Sequence, residues 1–143
     1  MTKYKDVFLI NRLGGFLFLI DRILKHIAYN NPWDTHLFAN GYIGWQYFAN
    51  VGIAFSIPLP QIVLLLATPI LLFWIYKQTN TQSLLAKIAI SLIILGATSN
   101  YIDRVFYSIT IDYIRLFTSI FNIADIMVLS GIILLIKTSK YTA

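Results

Sequence analysis

The 143-residue chain contains no cysteine and no glutamate. Without a thiol there is no disulfide, no thiolate metal ligand and no cysteine nucleophile. Without glutamate, all carboxylate chemistry rests on six aspartates, at positions 6, 21, 34, 103, 112 and 125. Charge of either sign is scarce too: 12% of residues are charged against 58% hydrophobic, and the mean hydropathy is +0.72. A soluble domain of this length needs more polar surface, so the composition points to a single-domain, all-α integral membrane protein. In that setting every aspartate beside an apolar run is a candidate functional group, because charge near hydrocarbon is costly. His26 and His36 have no metal-ligand spacing around them, so neither a metal nor a cofactor is expected. The motifs G-x-S-x-G, H-E-x-x-H and G-x-G-D are missing, which disfavours the catalytic classes they serve.

Four apolar segments approach the length of a bilayer crossing, at about 7–27, 58–76, 84–99 and 121–136. The first is interrupted by Asn11, Arg12, Asp21 and Arg22, and no small-x-small site precedes that pair. It is expected to be a retained span. The second carries Pro69, which a helix in lipid tolerates. A polar loop, YKQTNTQS, joins it to the third. Threading the chain back and forth gathers Lys3, Lys5, Arg12, Lys77, Lys87, Lys137 and Lys140 on one side, opposed only by Asp6. The other side holds Arg22, Lys25, Arg104 and Arg115 with the remaining five aspartates. By the positive-inside rule the first side is cytoplasmic and carries both termini. The net charge of +5 therefore reports topology, and no nucleic acid need be invoked. Residues 28–57 and 104–120 then lie outside. The stretch GYIGWQYFANVGIAFSI predicts short strands and turns, a small extracytoplasmic β-structured cradle with interfacial aromatics. Residues 104–120 predict a short surface helix or a loop.

One short pattern occurs twice. SNYIDR at 99–104 follows the third apolar run and FNIAD at 121–125 opens the fourth, so Asn100 and Asp103, like Asn122 and Asp125, are spaced i, i+3. A span leading outward and the next leading inward place Asp103 and Asp125 at similar depth near the outer face, each with an asparagine on its own helix face to orient it. Two close carboxylates do not both ionise easily, so one holds a proton while the other stays charged. That is the requirement for aspartyl proteolysis, in which a water attacks and no covalent intermediate forms.

These residues carry a resemblance to a known family. GATSNYIDR and FNIAD resemble the two signature blocks of the prolipoprotein signal peptidases (signal peptidase II), G-x-x-x-N-x-x-D-R and F-N-x-A-D, matched at Gly96, Asn100, Asp103, Arg104, Phe121, Asn122, Ala124 and Asp125. NVGIAF, from Asn50 to Phe55, is similar to the family's N-x-G-x-A-F block, and Ile111-Asp112-Tyr113 to its V-D-F/Y element. The resemblance spans nearly the whole chain. It implies four transmembrane helices, a β-structured cradle and an aspartate dyad near the outer surface of the bacterial inner membrane. It also implies cleavage of the signal peptide from a lipoprotein precursor, just before a diacylglyceryl-modified cysteine. On this resemblance Asp103 and Asp125 are the dyad. Asn50, Gly52, Arg104 and Asn122 contact the substrate, and Asp21, Lys25, Asn100 and Asp112 support the site. The implied partners are the lipid-modified precursor and membrane lipids, with the protein itself a monomer.

The chain departs from the family pattern in two places. D-Q-x-T/S-K near the end of the first span is here DRILK, with Arg22 and Leu24 out of pattern, and YIRLFTSI lacks the Trp and Pro common before the second block. A catalytically silent paralogue that binds lipidated peptides is the alternative these changes raise. A small transporter is a third reading, disfavoured because the aspartates cluster toward span ends rather than the midplane. Plainer structural readings stand beside the functional ones. Asp21–Lys25 and Asp112–Arg115 have the spacing of local ion pairs, Arg104 that of a snorkelling cation, and Asn50 that of a turn residue.

Overall fold

The computed structural model describes residues 2–52, 59–77 and 83–139, with side chains described from residue 12 to residue 138. The cradle residues 53–58, the loop residues 78–82, Lys140 and the side chains of Lys3, Lys5 and Asp6 lie outside the described residues.

Helix α1 (Thr2–Asn30) leads into β1 (His36–Phe38), a 3-10 turn (Ala39–Gly41) and β2 (Ile43–Asn50). Helices α2 (Gln61–Lys77) and α3 (Leu84–Tyr107) follow, then β3 (Thr110–Leu116), β4 (Ser119–Phe121) and α4 (Ile123–Ser139). All four expected apolar segments are thus helical. Among the described residues, α3 is the helix long and apolar enough to cross a membrane by length and composition, and α2 is a shorter apolar helix. At 1.5 Å per residue, the 24 residues of α3 reach about 36 Å and the 17 of α2 about 26 Å.

The helices pack at small residues. At Gly96 an added Cβ would stand 2.5 Å from the Ala124 carbonyl oxygen, and at Gly131 it would stand 2.6 Å from that of Ala89. Glycine at both positions lets α3 and α4 approach backbone to backbone. Helix α1 turns a polar stripe inward, with Asp21 and Lys25 fully buried above Ala28, while Leu13, Phe16, Leu19 and Ile23 are exposed. Its apolar surface faces out and its charges face in.

The four strands form one antiparallel sheet in the order β1-β2-β3-β4. The strands expected in 28–57 are present, whereas 104–120 corrects the expectation of a surface helix or loop. Helix α3 runs eight residues past Ser99 to Tyr107 and ends where Ser108 takes a left-handed conformation at φ 59°. The chain then reverses into β3, because alternating Thr-Ile-Asp-Tyr places Ile111 and Tyr113 on one face against Ala28 and Trp45. Thr110 and Asp112 fall on the other face. Strand β3 pairs with β2 in a register that sets Asn50 opposite Thr110 and Phe48 opposite Asp112, with a bulge between Trp45 and Phe48.

Candidate active site

The site lies where the sheet meets the ends of α1, α3 and α4, and its polar groups come from all of them. The start of α4 sets the frame. Asn122 caps the helix: its Oδ1 accepts from the Asp125 N–H at 2.8 Å, and Asp125 Oδ2 accepts in return from the Asn122 N–H at 3.2 Å. This is a reciprocal capping box made from Asn and Asp. The two remaining first-turn amides go to side chains from elsewhere, Ile123 N–H to the Tyr113 hydroxyl at 3.2 Å and Ala124 N–H to Asp21 Oδ1 at 3.1 Å. Each otherwise orphaned N–H of the turn thus has an acceptor. Acidic groups also suit the positive end of the helix dipole.

The buried charges of α1 and α3 form a closed cluster. Lys25 Nζ lies 2.7 Å from Asp103 Oδ2 and 3.2 Å from Asp21 Oδ2, and it donates to Asn100 Oδ1 at 2.6 Å. Arg22 bonds the other oxygen of Asp103 and also the Ser99 carbonyl, at 3.1 Å. Asp21 completes its set with the Ser99 hydroxyl at 2.6 Å and the Tyr113 hydroxyl at 2.8 Å. Burial and the neighbouring Asp21 charge both push the Tyr113 hydroxyl above its ordinary range, so it is a donor throughout. Asp103 also accepts the Ile111 N–H at 3.2 Å. Two cations and an amide therefore occupy both of its oxygens. Removing one member of such a cluster leaves an uncompensated buried charge, which is strongly destabilising.

The geometry gives the two signature-block aspartates, Asp103 and Asp125, different surroundings, Asp103 held by cations and Asp125 by amides. The asparagines do not serve the aspartates on their own helices in the way the spacing suggested. Asn100 Nδ2 donates to Asp125 Oδ1 at 2.8 Å, across from α3 to α4. Asn122 Nδ2 donates to Asp112 Oδ1 at 2.6 Å and Asn50 Nδ2 to Asp112 Oδ2 at 2.9 Å. The carboxylates linked through Asn122 are thus Asp112 and Asp125, and neither is bonded to a cation among the described residues. Burial first, and then the charge of Asp125, raises the Asp112 carboxyl from 3.8 to about 7, against the opposing bonds from Asn50 and Asn122. Asp112 is thus a buried carboxyl held near neutrality, with the charge of Asp125 acting on it.

The other sequence candidates fall around this pair. Asn50 Oδ1 accepts the Gly52 N–H at 2.9 Å, which aims its amide nitrogen at Asp112. Arg104 reaches the Gly52 carbonyl at 3.4 Å and feels the charges of Asp125, Asp103 and Asp112. Asp21 and Lys25 form the local ion pair their spacing allows, but inside a larger cluster. Arg115 turns to Gln46 Oε1 at 2.6 Å, so the local pair with Asp112 is not made. Ser99 and Tyr113 were missed as site residues. Ser99 stands four residues before Asp103 on α3, and that shared helix face was the available signal. The ligation of Asp103 by Arg22 had none, since the partners are 81 residues apart.

In architecture the chain is similar to two solved structures of bacterial membrane enzymes. One superposes with a TM-score of 0.82 at 27% identity, covering 96% of this chain and 89% of the other. The second gives 0.76 at 26% identity, covering 92% and 90%. The chain belongs to the signal peptidase II family, a family of proteases, whose model matches residues 13–140. Similar relatives include the lipoprotein signal peptidase of Bartonella henselae, 32% identical over 129 residues, with 82% of this chain and 79% of the relative covered. That of Clostridium novyi is 30% identical over 132 residues, covering 84% and 89%.

Proposed function

We propose that the chain is a membrane aspartyl endopeptidase that removes the signal peptide from diacylglyceryl-modified prolipoproteins, cutting before the lipidated cysteine, with Asp112 and Asp125 as its dyad. The observation that carries this assignment is the difference between the aspartates. Asp103 has both oxygens occupied by Arg22, Lys25 and an amide, whereas Asp112 and Asp125 share Asn122 and are bonded only by neutral donors. Asp103 joins Asp21, Lys25 and Asn100 as support for the site.

The chemistry follows from the two environments. Asp125 is the base: it takes a proton from water as the oxygen attacks the scissile carbonyl carbon. Asp112, protonated, gives its proton to the carbonyl oxygen. Collapse of the tetrahedral diol breaks the C–N bond. The proton on Asp125 passes to the leaving amine, and Asp112 recovers its own from the diol hydroxyl. Arg104 lines the approach, where an extended peptide offers carbonyl oxygens to its donors, while Asn50 and Asn122 hold Asp112 in place. The exposed apolar side chains of α1, α2 and α4 match a hydrocarbon surround, so we place all four helices across the bacterial inner membrane, with the sheet at its outer face. A diacyl-modified substrate is held in the same plane and reaches the site laterally.

The test is cleavage of a diacylglyceryl-modified precursor by the purified protein in lipid, with release of the signal peptide followed on a gel. Asp112→Asn and Asp125→Asn are expected to abolish release. A wild type that binds the precursor without cutting it would overturn the peptidase reading and indicate the silent paralogue.

A further inference from the structure

Thr110 is the one group on the dyad's face of the sheet that the mechanism leaves without a task. The residue is 2% exposed, and its hydroxyl oxygen has no hydrogen-bond partner among the described residues. A hydroxyl buried without a partner loses its bonds to water and gains nothing in return, so such a group in a folded chain requires an explanation.

Its position supplies one. Thr110 and Asp112 are two residues apart on β3, so they share a face and stand about 7 Å apart along the strand. Thr110 is also the direct cross-strand partner of Asn50, and paired residues present their side chains to the same face. Asn50 on that face reaches Asp112. The other neutral polar groups there are committed: Asn50 Nδ2 and Asn122 Nδ2 both donate to Asp112, and the Asn50 oxygen accepts the Gly52 N–H. Among the described residues, the Thr110 hydroxyl is the uncommitted neutral donor beside the dyad.

We propose that Thr110 is a substrate-contacting residue, its hydroxyl donating to a main-chain carbonyl of the bound peptide near the scissile bond. The inference rests on the peptidase reading for the identity of the ligand, an extended lipidated peptide. A main-chain carbonyl fits because it is an acceptor only, and the hydroxyl is free to rotate onto it. Binding would then satisfy a polar atom that the unliganded protein leaves unpaired.

The experiment measures affinity apart from turnover. A fluorescent diacylglyceryl-cysteine peptide spanning the cleavage junction is titrated onto the full chain in lipid, in an Asp125→Asn background. Adding Thr110→Val, which replaces the hydroxyl by a methyl of similar volume, is expected to weaken binding about three- to tenfold, the loss of one hydrogen bond. Thr110→Ser, which keeps the hydroxyl, is expected to recover most of that loss. Thr110→Val is expected to melt no lower than its parent, because it removes an unpaired polar atom from the interior. Unchanged affinity in Thr110→Val overturns the proposal, as does a lowered melting temperature, which would reveal a partner within the fold. With Asp125 intact, a loss confined to kcat also overturns it, since that would assign the hydroxyl to the attacking water. Failure of the peptidase reading looks different: the wild type binds the peptide without cutting it, while the effect of Thr110→Val on binding persists. No binding by either protein would overturn both.

Discussion

Which aspartate does chemistry depends on what already holds it, and this can be tested by exchanging single oxygens. Asp112→Asn keeps the shape of the side chain and removes a carboxyl that burial makes costly to ionise. It is expected to release no signal peptide, and to cost about 1–2 kcal/mol of stability, because its amide nitrogen must face one of the two amide donors that Asp112 accepts from Asn50 and Asn122. Asp103→Asn leaves Arg22 and Lys25 partly uncompensated inside the protein, with an expected loss of about 3–5 kcal/mol of stability, seen as a lowered melting temperature. A well-folded, inactive Asp103→Asn beside an active Asp112→Asn would return the dyad to Asp103 and Asp125. The pH dependence carries a definite sign. The folded protein holds the Asp112 proton more tightly than the unfolded chain does, so its contribution to stability is complete below about 3.8 and is lost as pH rises through about 7. In the proposed mechanism the same proton is the one given to the substrate, so kcat/KM is expected to fall as pH rises past about 7, and to fall again at acid pH where Asp125, the base, takes up a proton. A profile still rising above neutrality would exclude Asp112 as the acid. The i, i+3 spacing of Asn and Asp made the site legible in the sequence. What separates Asp103 from Asp112 in the structure was not legible there, because it is a pair of cations delivered by α1 from some 80 residues away.

At the scale of elements, the four helices were readable from apolar run length alone, and the strands of 28–57 from aromatic and glycine content. β3 was not, because its alternation is inverted for a surface strand: Thr110 and Asp112 sit on a face that is buried, so both faces of the strand look inward. A polar residue buried for function imitates the exposed side of a helix or loop. The packing of α3 on α4 likewise depended on details that hydropathy does not carry. At Gly96 a methyl would meet the Ala124 carbonyl at 2.5 Å and Val128 Cγ2 at 2.9 Å, and the first of these is backbone that cannot swing aside. Gly96→Ala is therefore expected to lower stability by about 1–3 kcal/mol, through a forced separation of the two helices. Gly15 is the control. Nothing lies within 4 Å of its added Cβ, so Gly15→Ala is expected to leave the melting temperature unchanged or raise it, since alanine is the better helix former. Equal melting temperatures for the two variants would show that α3 and α4 are not in backbone contact.

The whole molecule is arranged with its polarity reversed, and the reversal supports the membrane placement proposed above. Asp21, Lys25, Asp103 and Asp112 are fully buried, while Leu13, Phe16, Leu66, Ile70, Phe73 and Leu129 are each about three-fifths exposed. Water would penalise that surface, whereas hydrocarbon accepts it and in turn drives the charges inward to find one another. The sheet gathers at one end of the helices. There Trp33 is 93% exposed and Phe38 71%, amphipathic or aromatic groups suited to a membrane–water boundary. Lys77 closes α2, packed over the Phe73 ring at 5.2 Å. On the expected topology, with both termini cytoplasmic, Lys77 belongs inside and the sheet outside. A chain without cysteine makes this simple to measure, because each introduced thiol is unique. In intact cells a membrane-impermeant maleimide is expected to label Trp33→Cys, whereas Lys77→Cys should react only after the membrane is opened. Labelling of Lys77→Cys alone in intact cells would invert the topology and put the dyad at the cytoplasmic face, where a translocated precursor could not reach it. Equal labelling of both would mean that the helices between them do not cross the bilayer.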